Sequence, residues 1–387
     1  MHAFIRALLF ITLAGCSSSA FYYFACLWTA SAFLQRRRKS QPADSQRNFR
    51  PPISVLKSLK GTDPEMYESF RSHCLQDYHD YELIFGVSDP ADPAVASVEW
   101  LRRDFPDRKI KLIVCPEILG PNVKVSNLEQ MANAAQCEYL LVNDSDIRVD
   151  ENYLEKTIAP LADQFIGLTT CLYRGVAEPT LGSKLEALGI ADFCSSVLVA
   201  EQIERGLHFG LGSTLAFRKR DLDRIGGFKS IVGFLADDYE LGRRIADLGL
   251  RVVLSDVVVE THLPAYDLHA FISHQMRWAR GVRDSRRSGY IGLITTFGIA
   301  WAVLTVIVAG GAPWAWFVLA AMLLLRTSVG FTVCRSVLQD EEAVERLWLL
   351  PIRDLIAFGI WVMSFAGHTV TWRGDRFRLK NGRLIRV

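Results

Sequence analysis

The chain has 387 residues, half of them apolar, with 44 basic against 42 acidic residues and a formal charge of +2. That is one large or two ordinary domains' worth of chain, and the near-neutral balance leaves no electrostatic footprint for nucleic acid. Eight cysteines are scattered with no Cys-x-x-Cys and no His–Cys cluster at zinc spacing, which predicts reduced, mostly buried thiols.

The apolar residues concentrate at the two ends, and the middle reads as a soluble α/β domain. Phe4 to Leu34 carries one charge, Arg6, and is long enough to span a bilayer with tilt. Arg36-Arg37-Arg38-Lys39 follows at once, so the positive-inside rule places the start outside and the next domain in the cytoplasm. Leu13-Ala14-Gly15-Cys16 resembles a lipoprotein cleavage site. Yet the apolar run continues through Phe21-Tyr22-Tyr23-Phe24, and cleavage would leave a membrane-length remnant. Residues 1–35 are therefore expected to be an uncleaved anchor and 36–50 a basic and polar linker containing Pro42.

Ile53 to Leu59 reads as a first strand after Pro51-Pro52. Asp63-Pro64-Glu65 reads as an N-cap with proline at the first helical position, opening a helix with Met66, Phe70 and Leu75. Tyr81 to Val87 is a second strand. Asp92-Pro93 then starts a helix with Val95, Val98 and Leu101, Ile110 to Val114 is a third strand, and Asn127 to Ala135 is helical. Strands alternating with helices predict a parallel, doubly wound sheet. Capping alone accounts for Asp63 and Asp92, with a ligand role as the alternative.

The fourth strand, Tyr139 to Val142, runs into Asn143-Asp144-Ser145-Asp146. If the extended geometry carries through, Asp144 and Asp146 share a face. Two carboxylates so placed repel unless a divalent cation or a set of donors lies between them. The strand's carboxyl end is also where open α/β sheets bind ligands. A polar turn is the competing reading, since Asn, Asp and Ser are turn formers.

Phe165 to Thr170 and Leu215 to Phe217 look like further strands, with a loop of three glycines from Gly206 to Gly212. Asp237-Asp238 opens a helix, where acids complement the dipole. A carboxylate there could equally take a proton from an incoming hydroxyl. Arg251 to Val259 is a strand followed by His262. His274 to Arg280 lies on a helix whose Arg277, Arg280 and Arg283 recur at helical spacing. They suit either lipid headgroups or a diphosphate.

Tyr290–Gly311, Pro313–Cys334 and Ile356–Thr371 are membrane candidates, with Trp301, Trp314, Trp316 and Trp372 suited to interfaces. Three such crossings would leave the basic tail, 373–387, outside, against the positive-inside rule. Either one candidate is interfacial or re-entrant, or the rule fails here.

Lys60-Gly61-x-Asp63, Asp89 to Ala94, Asp144 to Val149, Ala236-Asp237-Asp238-Tyr239 and Arg277-Trp278 occur in that order, flanked by membrane segments. Together they resemble the ceramide glucosyltransferase family (family 21), including bacterial members associated with hopanoid biosynthesis. The resemblance runs from the N-terminal anchor to Trp372-Arg373-Gly374. It implies a cytoplasmic GT-A domain over 51–287. This is the Rossmann-like α/β fold of nucleotide-diphospho-sugar transferases, here joined to an N-terminal transmembrane helix and to transmembrane or interfacial helices over 288–372. It further implies a multi-pass enzyme, in the inner membrane of a bacterium. Such an enzyme moves glucose or N-acetylglucosamine from a UDP-sugar to a lipid hydroxyl of ceramide or hopanoid type, with inversion.

Carried over by position, Asp92 resembles the family's first aspartate near the nucleotide, and Asp144 the second, in the nucleotide and metal site. Asp146 then matches the carboxylate binding Mg²⁺ or Mn²⁺. Asp238 matches the catalytic base, and Asp237 stands where an acid is also usual. Asp63, Lys124 and Asn127 are implied on the donor side, and Arg277-Trp278 near the diphosphate. His274 departs from the Gln or Arg usual at its place, so its charge depends on pH near neutrality. Two competing functions remain. A processive polysaccharide synthase would need a transmembrane polymer channel, for which three or four segments are few. A non-catalytic nucleotide-sugar-binding membrane protein would not need an acid at Asp238.

Overall fold

A computed structural model describes residues 2–39, 49–372 and 375–387. The linker through Pro42 and the Arg373-Gly374 pair fall outside the described residues. The chain forms two compact units. A helical unit comprises Met1–Lys39, Ala177–Gln202 and Ala265–Asn381, and a sheet unit comprises Ser40–Val176, Ile203–Pro264 and Gly382–Val387.

The sheet unit is built on eight strands: β1 (Ile53–Leu59), β2 (Tyr81–Val87), β3 (Lys109–Val114), β4 (Tyr139–Val142), β5 (Ile147–Arg148), β6 (Ile166–Val176), β7 (Leu215–Arg218) and β8 (Arg251–His262). Their order is β3-β2-β1-β4-β7-β6-β8-β5. Every residue of β2 is buried, so its sequence is mostly apolar and does not alternate; the exception, Glu82, accepts from Ser54 Oγ at 2.6 Å and meets Lys111 Nζ at 2.7 Å. β3-β2-β1-β4 is parallel. Beyond β4 the sheet is mixed: β7 is antiparallel to β4 and β6, and β5 to β8, while β6 and β8 are parallel. The expectation of a wholly parallel sheet is thus corrected. Only four residues separate β4 from β5, too few for a crossover helix, so the strand–helix alternation stops at β4 and β5 pairs antiparallel with β8.

Several boundaries also move. The helix after β1 begins at Met66, not at Pro64, because Glu65 takes a left-handed conformation, φ 50°. Leu75 falls just beyond its end, exposed. The helix expected from Asn127 starts at Val123, where the Asn122 side chain accepts a hydrogen bond from Val125 N at 3.2 Å. The expected basic tail is ordered as strands β10 (Asp375–Lys380) and β11 (Arg383–Arg386), with Phe377, Leu379 and Leu384 buried. β11 belongs to the sheet unit: Leu235 N donates to Gly382 O at 3.1 Å and Leu384 N to Gly233 O at 2.8 Å.

The helical unit contains α1 (His2–Lys39), α2 (Leu181–Ile203), α3 (Leu268–Ser285), α4 (Gly298–Val308), α5 (Pro313–Phe331) and α6 (Leu350–Ser364). His2–Lys39, Pro313–Leu338 and Leu347–Ser364 are long and apolar enough to cross a membrane. The expected span Tyr290–Gly311 is instead broken: Arg287–Thr296 and Gly298–Val308 meet at 56°. A break in an apolar helix frees backbone groups that lipid cannot satisfy. The Tyr23 hydroxyl serves both sides of this one, donating to Thr296 O at 3.1 Å and accepting from Gly298 N at 3.2 Å. The expected candidate Ile356–Thr371 also ends early: its helix stops at Ser364, and Thr369–Trp372 forms β9, antiparallel to β10. Trp314 and Trp316 are exposed, as interface residues would be, whereas Trp301 packs against Gly15.

Charge is buried among these helices. Arg326 meets Asp354 through Nε–Oδ2 at 2.7 Å and Nη2–Oδ1 at 3.0 Å, and Asp192 Oδ1 at 2.5 Å. Arg353 Nη1 lies 2.8 Å from the other Asp192 oxygen. They line a cavity of about 50 Å³ with Tyr22, Tyr23 and Ser196. All eight cysteines are free and seven are buried, in line with the expectation of reduced thiols.

Candidate active site

The site forms at the carboxyl ends of β1, β2 and β4. Asp144-Ser145-Asp146 is a turn and not a continuation of β4: Ile147 N reaches Asp144 O at 3.4 Å, and the chain reverses into β5. The two aspartates therefore do not share a strand face, as strand alternation would have it. The turn is pinned from inside. Asn143 Nδ2 donates to His73 Nε2 at 3.0 Å and Tyr153 Oη at 3.2 Å, and the Lys57 ammonium donates to Asp144 O at 2.9 Å. Burial pulls Lys57 down to about 7, against the opposing pull of Asp146, Asp144 and Asp63. Burial also holds His73 well below its usual range, so its imidazole is neutral and can accept from Asn143.

Asp146 accepts from the Thr261 hydroxyl at 2.6 Å. Burial, then the Asp144 charge, pushes its carboxyl up to about 6, with Thr261 working the other way. Asp144 is more open, its side chain 44 % exposed, and meets Lys124 Nζ at 2.7 Å. The same ammonium lies 3.2 Å from Asp237 Oδ2. Burial works against the Lys124 charge, but Asp144 and Asp237 outweigh it and raise its pKa above the ordinary lysine value.

Asp238 stands at the second position of the helix Asp237–Asp247. Its Oδ2 accepts from Gly212 N and its Oδ1 from Tyr239 N, both at 2.8 Å. Burial and the Asp237 charge push it up to about 6, partly offset by Lys124. Each carboxylate oxygen has a second lone pair, so proton-accepting capacity remains. Gly212 keeps open the space between the two halves of the site. A Cβ there would lie 3.2 Å from Asp238 Oδ2 and 3.4 Å from Asp144 Oδ2.

The other expected donor-side residues are tied into the scaffold. Asp92 accepts from Gly61 N at 3.0 Å and from Ala94 N at 2.9 Å, joining the loop after β1 to a helix start. Asp63 does not cap its helix. Its carboxylate accepts from the Ser145 hydroxyl inside the Asp144–Asp146 turn. Asn127 accepts from Ser88 Oγ at 2.9 Å and donates to Ser58 Oγ at 3.3 Å, clasping the ends of β2 and β1.

His274, Arg277 and Trp278 belong to α3 of the helical unit. His274 stacks on Tyr266 and lies 3.2 Å from Glu186 Oε1, and Trp278 meets Phe193 edge to face. Sequence reasoning did not single out Lys57, Thr261 or Gly212. Lys57 carried the clearest signal, the one charge inside a buried strand. Gly212 lay in the glycine loop, with no role attached to it.

Among the described residues no three His, Cys, Asp or Glu side chains converge as a metal cluster. Asp144 and Asp146 are the carboxyl pair with ligand chemistry, and their crowded negative charge suits a cation.

Four likenesses bear on identity. A profile of glycosyl transferase family 21 matches residues 11–385. Ceramide glucosyltransferase 3 of Caenorhabditis elegans is 23% identical over 364 residues, covering 86% of this chain and 73% of the relative. The ceramide glucosyltransferase of Komagataella phaffii is 30% identical over 129 residues, 32% of this chain and 25% of the relative. Among solved structures, mannosyltransferase PcManGT from Pyrobaculum calidifontis, in complex with GDP-Man and Mn²⁺, is 20% identical with a TM-score of 0.55. It covers 92% of this chain and 99% of that one, and it supports the GT-A fold. With the profile spanning both units and the fold agreeing, the chain belongs to glycosyl transferase family 21 and is a glycosyltransferase.

Proposed function

We propose that this enzyme transfers a hexose, glucose or N-acetylglucosamine, from a UDP-sugar to the hydroxyl of a membrane lipid of ceramide or hopanoid type, with inversion. Its sheet unit faces the cytoplasm. The observation that carries the reading is Asp238: a carboxyl raised to about 6, oriented by two backbone N–H groups, across the Gly212 gap from Asp144. A base poised below neutrality is ionised at working pH yet still basic enough to take a hydroxyl proton. The lipid oxygen thereby attacks the anomeric carbon from the face opposite the leaving diphosphate. Lys124 holds Asp144 and Asp237 in register, and Asn127 and Asp92 fix the loops that would line the nucleotide.

Asp144 and Asp146 would hold Mg²⁺ or Mn²⁺, which when bound supplies positive charge against the departing diphosphate. The ceramide glucosyltransferase relatives support a lipid acceptor, as do helices apolar enough to lie in a bilayer. The test is to incubate membranes carrying the full chain with radiolabelled UDP-glucose or UDP-N-acetylglucosamine and to fractionate the products. Label in the organic lipid extract is expected, with one donor preferred. Label in an insoluble polymer would point to a processive synthase, and donor binding without transfer would sink the enzymatic assignment to lipid.

A further inference from the structure

The chain leaves the sheet unit after Pro264 and rejoins it at Gly382. A polar domain of this kind lies on one side of a membrane, so the number of crossings between those points is even. Three candidates lie between them: the broken pair Arg287–Thr296 and Gly298–Val308, then Pro313–Leu338, then Leu347–Ser364. One of the three does not cross.

α1 shows which. Its basic end, Arg36 to Lys39, leads into the sheet unit and marks that side. α4 runs away from this end. Gly298 is bonded to Tyr23, and Thr305 Oγ1 lies 3.7 Å from Cys16 Sγ, so the chain advances along α4 as it retreats along α1. α5 returns. Met322 crowds Gly298 together with Tyr23, and further on Val337 O accepts from Arg37 Nη1 at 3.5 Å. Pro313–Leu338 therefore ends level with the basic end of α1, and Leu347–Ser364 begins on the sheet-unit side.

The far end of that last helix is fixed as well. Arg283 of α3, the first helix after Pro264, donates to Ser364 O and to Gly367 O, the latter at 2.9 Å. Arg280 donates to Thr369 O at 2.6 Å and Ala366 O at 3.1 Å. The helix presents Trp348, 70 % exposed, with Ile352, Leu355 and Val362 at helical spacing, while Arg353 and Asp354 turn inward to Asp192 and Arg326.

We infer that Leu347–Ser364 does not cross the bilayer but lies in its interface on the sheet-unit side, its apolar face toward the acyl chains. The crossings are then α1, the broken pair and Pro313–Leu338. This arrangement suits a helix with an exposed tryptophan at one end and an apolar outer stripe. It also puts Arg376, Arg378, Lys380, Arg383 and Arg386 on the same side as Arg36 to Lys39, as the positive-inside rule asks.

The test uses the full chain with Ala312→Cys, Glu345→Cys or Ala366→Cys, a membrane-impermeant maleimide, and sealed vesicles of both orientations. The unsubstituted chain sets the background from its native cysteines. Glu345→Cys and Ala366→Cys should both react only in vesicles that expose the sheet unit, and Ala312→Cys only in the opposite orientation. Turnover of each variant checks that it is folded. Glu345→Cys and Ala366→Cys reacting from opposite sides would make Leu347–Ser364 a span and overturn the inference. Reaction of either only after detergent would overturn it too, since that end would then lie within the bilayer.

Discussion

Both units bury charge, and they balance it differently. In the helical unit Arg326 and Arg353 are matched by Asp192 and Asp354, each cation within reach of an anion. In the sheet unit two ammonium groups, on Lys57 and Lys124, face the carboxyls of Asp63, Asp144, Asp146, Asp237 and Asp238. Burial first, and then this surplus of negative charge, raises the carboxyls of Asp146 and Asp238 to about 6. A balanced buried network holds helices together, because removing one member strands another. An unbalanced one is costly as it stands and is relieved by a cation or a proton, which marks it as a place for chemistry.

The sharpest way to break that comparison is Asp238→Asn. Asparagine matches aspartate in size and keeps one accepting oxygen, but it cannot take the proton, and its Nδ2 cannot accept from Gly212 N or Tyr239 N. Turnover should fall by about 10² to 10⁴ with donor affinity largely kept. Thermal stability at neutral pH should change little, since one accepted hydrogen bond is lost while a repelled charge is removed. More than about a tenth of wild-type turnover would exclude a general base there. Asp354→Asn is the mirror experiment. It leaves the Arg326 guanidinium with Asp192 alone, and about 3 kcal/mol of stability should be lost. The thermal midpoint of the solubilised protein reads this, and an unchanged midpoint would remove the structural role given to the pair.

The smallest effect concerns the cation and its pH dependence. Asp146 has a folded value of about 6, above the ordinary aspartate value. Below the ordinary value the group is protonated in both states. Between the two values the folded state holds the proton more tightly, so stability declines as pH rises through about 6 and stays lower above it. Mn²⁺ should offset this only where the carboxyl is ionised. Its thermal shift should therefore be larger at about pH 7.5 than at about pH 5, either side of the raised value. An equal shift at both would disconnect the cation from this pair.

Much of the fold was legible before the structure. β1, β2 and β4 stand out because strands buried on both faces are mostly apolar, here with Lys57 and Glu82 as the charged exceptions. The aspartates were legible as residues but not as geometry. Alternation places Asp144 and Asp146 on one strand face, whereas the need to turn back toward β8 makes them a turn. Thr261 went unseen because its bond to the Asp146 carboxyl is a property of the folded chain; Lys57 was visible as a charge in a mostly apolar strand, but its bond to Asp144 O was not. β10 was a different kind of miss. Arg376 to Lys380 alternates charged and apolar residues as a half-buried strand does, a pattern masked by the charge of the tail.

β11 has a consequence for biogenesis. The sheet unit is stitched from three stretches of chain, and the third, Gly382–Val387, is translated after α1 and the apolar helices between Pro264 and Gly382. Domains that fold during synthesis ordinarily do so in order from the amino end. Here the strand that meets Gly233 and Leu235 emerges from the ribosome only once insertion into the bilayer is under way. The sheet unit is completed only after those helices, so a nascent chain halted before Gly382 would carry them along with a sheet unit that lacks β11.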